Sequence, residues 1–362
     1  MSQPMKVSVC VPAYERPKMI RELIASFRVQ DLETSELCIA DDSETEAVAS
    51  VVAATGAGLP LVYEHNLRPL GFAANLWKAL SMASGDVIVI LGDDDLLADA
   101  SALSTYARAF SSHPSVHFCV SSLLQVDDTL SVTLAYPRAK CPEVVVRAGE
   151  DALRDAWLTS MVITGLGFRR STLLRRYYPS EPWSPGIDRL YPQVELVGRL
   201  CLEQDAILLG RYLCAFRAHA RQLGFEAAKG NGGLRPAAHA LDELPWIAEQ
   251  LAGSHPGARR APDICAAEFS RQYRTNVLNE CLLVGVRPTR RRVITYVRSH
   301  PDRPGRPALL FSIAVASILP AGVLRALKNA ARRVVAQFRL RRAGVDREAV
   351  RRFLMECARR DG

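Results

Sequence analysis

Residues 86–100 read DVIVILGDDDLLADA. Five apolar residues, Val87 to Leu91, run into Gly92 and then into three consecutive carboxylates, Asp93, Asp94 and Asp95. The apolar run reads as a strand. Adjacent ionised carboxylates repel, so the triplet needs a cation, a set of helix N–H donors, or open water. A helix over Leu96 to Phe110 would offer the second of these, because Asp suits an N-cap.

Working back toward the N-terminus, three more strands precede this one. KVSVCV at 6–11 is β-branched and apolar and stops at Pro12; ELCIA covers Glu36 to Ala40; LPLVYEH covers Leu59 to His65. Helical spacing separates them. Met19 to Val29 carries Ile20, Leu23, Ile24 and Phe27 on one face, and Val48 to Ala54 and Ala73 to Ala83 follow. Strands alternating with helices at this spacing predict a mainly parallel sheet flanked by helices, a Rossmann-like α/β fold. In such sheets ligands bind beyond the carboxyl ends of the strands. Those ends carry Pro12 to Glu15, Asp41 to Ser43, Asn66 and Asp93 to Asp95. Asp41 and Asp42 also suit a turn, and Asn66 with Gly71 a loop.

Beyond residue 110 the pattern mixes strands, at Val116 to Val120 and Ser131 to Tyr136, with helical stretches that include YPQVELVGRLCLEQDAILLG at 191–210. From Arg235 to His300 the chain reads as helical. Pro307 to Leu324 is then 18 residues without a charge, interrupted by Pro320. That length is at the lower edge for a membrane span. A buried helical appendage, an interfacial attachment and a span all fit this stretch.

Charge is placed unevenly. Of 46 Lys and Arg and 38 Asp and Glu, the segment from Arg325 onward holds twelve basic and four acidic residues, so the rest is neutral. A basic tail on a neutral body suggests an anionic surface, such as a membrane, as partner and not nucleic acid. Nine scattered cysteines without a CxxC pair argue against a disulfide framework or zinc site and for a reducing compartment. The first residues lack the apolar core of a signal peptide. A cytoplasmic protein, peripheral on the inner face of the cytoplasmic membrane, is the expectation.

Taken in order, VSVCVPAYERP at 7–17, CIADDSETEA at 38–47 and NLRPLGFAANLWKALSMASGDVIVILGDDD at 66–95 resemble the inverting glycosyltransferases of family 2, of the bacterial surface-polysaccharide type, on the GT-A fold. The resemblance is strong over about the first 100 residues and loose over the next 120. It implies transfer of a sugar from a nucleotide-diphosphate sugar to a glycan or lipid-linked acceptor, with Mg²⁺ or Mn²⁺ holding the diphosphate, since such ions take only one or two protein carboxylates. It further implies that Pro12, Ala13, Tyr14, Glu15, Asp41 and Asp42 surround the nucleoside. Asn66, Gly71 and Asn75 would line the sugar-nucleotide pocket, Asp93 would face the ribose, and Asp94 or Asp95 would hold the metal. The family form starts its acidic motif one position earlier, where this chain has Gly92.

An inverting transfer needs a carboxylate to take the acceptor hydroxyl's proton. The family places a Glu-Asp pair six residues before an Arg-Leu, but counting back from Arg199-Leu200 reaches Gln193 behind Pro192. Gln cannot act as a base. Asp188, in SPGIDRLYP, is the favoured replacement and Glu195 the second. MVITGLGFRR resembles the acceptor-side glycine segment, where Gly165 and Gly167 would admit a sugar. FRAHARQ resembles a segment whose His approaches the diphosphate, which makes His219 a candidate ligand. A catalytically impaired sugar-nucleotide binder or membrane scaffold is the alternative. A nucleotidyltransferase or a dinucleotide-dependent enzyme is disfavoured, because no glycine follows the first strand.

The expected organisation is a catalytic domain over 1–225, divided near 110 into nucleotide-sugar and acceptor halves. A helical region over 226–306 and an apolar-then-basic tail over 307–362 follow.

Overall fold

The computed structural model describes residues 5–177, 191–218, 236–268, 286–299 and 306–360. The four expected N-terminal strands are β1 (Val7–Ala13), β2 (Ser35–Asp41), β3 (Leu61–His65) and β4 (Val87–Ile90). They pair in parallel in the order β3-β2-β1-β4, with Cys10 opposite both Cys38 and Ile90. The crossovers are α1 (Pro17–Arg28), α2 (Ala47–Thr55) and α3 (Phe72–Ser81). Ile20, Leu23, Ile24 and Phe27 of α1 are buried as their spacing predicts. Each such side chain contributes about 1.5–3 kcal/mol relative to exposure.

The triplet does not cap a helix. Leu96–Leu97 forms a two-residue strand, β5, and the next helix, α4, starts only at Ala102 and runs to Ser112. The expected helix from Leu96 is thus shortened by six residues, because Leu96 and Leu97 are taken into the sheet by pairing with Ala215 and Cys214.

The sheet continues with β6 (Phe118–Val126), β7 (Val132–Tyr136), β8 (Glu143–Val146), β9 (Leu166–Arg169) and β10 (Ala206–Arg217), and holds ten strands in all. Here parallel pairing gives way. β9 lies antiparallel between β4 and β6, while β10 runs parallel to β6. Between them come α5 (Glu150–Asp155) and α6 (Pro192–Glu203). The stretch 191–210, expected to be helical, splits into α6 and the first half of β10.

The small residues of the glycine segment serve packing. A Cβ on Gly165 would lie 2.6 Å from Ser121 Oγ, and one on Gly167 would lie 2.4 Å from Cys119 Sγ. These glycines let β9 press against β6. The space their missing side chains leave is taken up by side chains of β6.

The chain divides into two compact units, 1–219 with 340–362, and 220–339. The first includes the end of α10 (Ala321–Ala343) and all of α11 (Arg347–Arg360). Leu340 and Leu354 are buried in a cluster with Leu124, Val126 and Ala135 of β6 and β7. The last part of the expected tail is therefore part of the sheet unit. The second unit contains α7 (Pro236–Ser254), α8 (Val286–Ser299), α9 (Arg306–Ile318) and most of α10.

At the amino ends of the strands, opposite the expected ligand end, Glu36 ties three segments together. Its carboxylate accepts hydrogen bonds from Lys6 Nζ at 2.6 Å, Ser8 Oγ at 2.5 Å, Ser84 N at 2.6 Å and Gly85 N at 3.2 Å. Burial opposes its ionisation, but Lys6, Ser8 and Ser84 outweigh that and hold the carboxyl down at about 2. A carboxylate with a depressed folded-state pKa stabilises the fold above its ordinary pKa, and that contribution is lost as pH falls through the folded value. Glu36→Gln is therefore expected to cost about 2–3 kcal/mol in urea unfolding at neutral pH. The gap to the parent protein should close as pH falls from about 4.5 toward about 2. A gap independent of pH would mean that the charge of Glu36 is immaterial.

Candidate active site

The carboxyl ends of β1, β2, β3 and β4 bring most of the expected residues together. At the end of β2, Asp41 is fully buried and accepts from Ser43 N at 3.0 Å, Ser43 Oγ at 2.5 Å and Tyr63 Oη at 2.7 Å. Asp42 shapes the loop after β3: it accepts from Leu70 N at 2.7 Å, Gly71 N at 2.8 Å and Asn66 Nδ2 at 2.9 Å. Gly71 precedes α3 with φ of 84°, a left-handed conformation that glycine adopts without strain. Asn75 reaches back from α3, its Nδ2 donating to Ala13 O at 3.2 Å and Ala40 O at 3.0 Å. Asn66 and Asn75 thus brace the ends of β1 and β2. Glu15, at φ 53°, joins two loops by accepting from Glu44 N at 2.8 Å and Thr45 N at 3.0 Å.

The three acidic residues after β4 sit in different surroundings. Asp93 accepts from Tyr14 N at 2.9 Å and pairs with Arg16, so it is anchored to the segment that follows β1. Asp95 accepts from Thr164 Oγ1 and from Arg217 N, the latter at 2.8 Å. Asp94 is the most exposed of the three, its side chain 12% accessible against 3% for Asp93, with Arg16 Nη1 at 3.6 Å. Burial pushes the Asp93 carboxyl up to about 6, with Arg16 opposing and the neighbouring Asp94 adding to the rise. Burial and the charge of Asp94 likewise raise Asp95 well above the usual carboxylate range, against the hydrogen bonds of Thr164 and Arg217. Repulsion within the triplet is thus met by a guanidinium and by N–H and O–H donors.

Gly92 has a steric reason. A Cβ there would lie 2.8 Å from Asp95 Oδ2 and 3.0 Å from Asp94 Oδ1, so the turn admits both carboxylates only without a side chain. The one-position departure from the family form is filled by the acids themselves.

Residues 8–177 match the family model described as Glycosyl transferase family 2. Over those residues, just under half of its length, the chain is similar to glycosyl transferase family 2. Abequosyltransferase RfbV of Salmonella typhimurium is 32% identical to this chain over 108 residues, 28% of the chain and 32% of the relative. An uncharacterized glycosyltransferase, YfnE of Bacillus subtilis, is 27% identical over 116 residues, 32% of the chain and 29% of the relative. The chain spans about a third of the length of such curated relatives. Among solved structures, residues 1–349 of S. aureus TarS in complex with UDP-GlcNAc share the fold with a TM-score of 0.60 at 17% identity, covering 91% of this chain and 92% of that one. The mannosyltransferase PcManGT of Pyrobaculum calidifontis, in complex with GDP-Man and Mn²⁺, gives 0.51 at 18% identity, covering 99% and 88%. The fold is GT-A.

Glu195 lies in the first turn of α6 and pairs with Arg199 one turn along at 2.6 Å. The start of α6 is fixed by Trp157, whose Nε1 donates to Val194 O at 2.9 Å. Gln193 is buried, and its Oε1 has no hydrogen-bond partner among the described residues. Asp188 and His219 lie outside the described residues.

Sequence reasoning missed Arg16, Thr164 and Arg217. Arg16 lies inside the quoted VPAYERP and Arg217 inside FRAHARQ, so both were in view. Nothing local ties either one to a carboxylate far away in the chain.

Proposed function

We propose that the protein is a metal-dependent inverting glycosyltransferase that moves a hexosyl or deoxyhexosyl unit from a nucleotide-diphosphate sugar to a glycan or lipid-linked acceptor hydroxyl. The observation that carries this reading is the division of labour in the triplet. Asp93 is held by Tyr14 and Arg16 and Asp95 by Thr164 and Arg217, while Asp94 lies between them beside Arg16 with a more accessible side chain than Asp93.

No cluster of three or more His, Cys, Asp or Glu suited to a metal occurs among the described residues. A hard cation there would be held by one or two carboxylates and by the donor's own phosphates. Asp94 is the proposed protein ligand, with Asp95 behind it and His219 as a further candidate. Mg²⁺ or Mn²⁺ bound there would supply Lewis-acid stabilisation of the departing diphosphate. Asp41, Asp42 and the backbone from Pro12 to Glu15 would surround the nucleoside, and Asp93 would position the strand end beside the ribose. The chain would work at the inner face of the cytoplasmic membrane, where lipid-linked acceptors are presented.

Thermal-shift measurements with UDP-, GDP-, dTDP- and CDP-sugars plus Mn²⁺ test the donor assignment. A donor at 100 times its Kd stabilises the folded state by about 2.7 kcal/mol. One nucleotide class is expected to raise the Tm and the others not. No shift with any of them would remove the donor-binding reading.

Asp188 is the proposed base, with Glu195 second. Asp188→Asn is expected to keep the donor-induced Tm shift and lose about 10²–10⁴-fold in transfer, because the amide keeps the shape without the basicity. Glu195→Gln should cost far less, since the Glu195 carboxylate is occupied by Arg199. A loss under about threefold for Asp188→Asn transfers the role to Glu195 or another acid.

Gln193 at the family's base position supports a second reading, a sugar-nucleotide binder without turnover. Slow donor hydrolysis separates the two, because a binder releases no nucleoside diphosphate.

A further inference from the structure

The second unit shows an unusual surface. Among the described residues, seven of the twelve exposed large apolar side chains fall between 310 and 338. On α9, Leu310, Phe311 and Ile318 face outward, with Phe311 71% and Ile318 78% exposed, while Ser312, Ile313 and Ala316 on the other face are buried. On α10, Val334, Val335 and Phe338 are exposed, Phe338 at 63%. The spacing from Phe311 to Ile318 and from Val334 to Phe338 puts each set on one side of its helix. Exposed apolar side chains clustered in this way mark an interaction surface.

The charge around them names the partner. Residues 306–343 contain eight Lys or Arg and no Asp or Glu. A second copy of this chain would bring two such segments together and set like charges against each other. A nucleic acid would meet the charge but offer nothing to Phe311, Ile318 and Phe338. An anionic lipid surface answers both features, with acyl chains for the apolar side chains and headgroups for the cations. No helix among the described residues is long and apolar enough to cross a membrane, and the uncharged stretch is broken between Ile318 and Ala321.

We propose that α9 and α10 lie in the plane of an anionic membrane, with Phe311, Ile318 and Phe338 inserted among the acyl chains and the net positive charge of the segment drawn to the anionic headgroups. The attachment does not depend on sugar transfer, so either reading can fail without the other.

The test uses the full chain, because 340–362 belong to the sheet unit and truncation at 306 would strip buried Leu340 and Leu354 from it. Sedimentation is measured with phosphatidylcholine vesicles and with vesicles that also contain phosphatidylglycerol. The protein is expected to pellet with the second and not the first, and to release partly as salt shortens the Debye length. The double variant Phe311→Ser/Phe338→Ser should lower the partition coefficient at least about tenfold. The helicity and Tm of that variant should match the parent, since both side chains are already exposed. Equal binding to neutral vesicles, unchanged binding of the variant, or pelleting released only by detergent overturns the proposal. So does vesicle-independent self-association that the double variant abolishes.

Discussion

Asp94→Asn is expected to abolish the Mn²⁺-dependent donor shift and to lower transfer by about 10²–10⁴-fold. A lost metal carboxylate removes several kcal/mol of transition-state charge stabilisation, at about 1.36 kcal/mol per factor of ten. The amide keeps the size of the side chain. The fold should survive this isosteric change. Asp95→Asn should behave differently. It weakens the acceptor of Thr164 and of the Arg217 amide, so a lower Tm should accompany any loss of activity. Isothermal titration with Mn²⁺ and the stabilising nucleotide separates the two roles. If Asp94→Asn kept parental turnover at limiting Mn²⁺, the metal assignment would be wrong.

The second large effect concerns stability. Arg217 is 2% exposed; its Nη2 pairs with Glu22 of α1, its Nε donates to Asp94 O at 3.1 Å, and its backbone N–H serves Asp95. One side chain thus ties the end of β10 to α1 and to the acidic turn. Arg217→Met should cost about 1–3 kcal/mol in urea unfolding, because it leaves the half-buried Glu22 carboxylate without its cation and the Asp94 carbonyl without its donor. Removing both charges with Glu22→Gln/Arg217→Met should cost less than the sum of the single variants, as expected for partners in one network. Additive effects would mean that the pair is not coupled. Donor affinity should also fall in Arg217→Met, since the Asp94 carbonyl loses the group that positions it.

Much of the donor half was legible from local pattern. The alternation of strands and helices over the first 100 residues follows from side-chain periodicity, and periodicity is decided by near neighbours. Placing Asp41, Asp42, Asn66 and the triplet at one end of the sheet needs only the rule that parallel strands share a direction. Glu195 on a helix and the basic, apolar C-terminal segment were equally visible.

Only the tertiary structure separated the three carboxylates. Asp93, Asp94 and Asp95 are identical in sequence terms, but Thr164, 69 residues away, and Arg217, 122 residues away, engage Asp95, while Arg16 and Tyr14 engage Asp93. The same holds for Gly165 and Gly167, whose small size answers to Ser121 and Cys119 on a neighbouring strand. It holds too for Leu340 and Leu354, which the chain returns to β6 and β7 after more than a hundred intervening residues. Such contacts join segments far apart in the chain, so they leave no spacing or composition signal. They arise only when the sheet brings those segments within hydrogen-bonding or van der Waals distance.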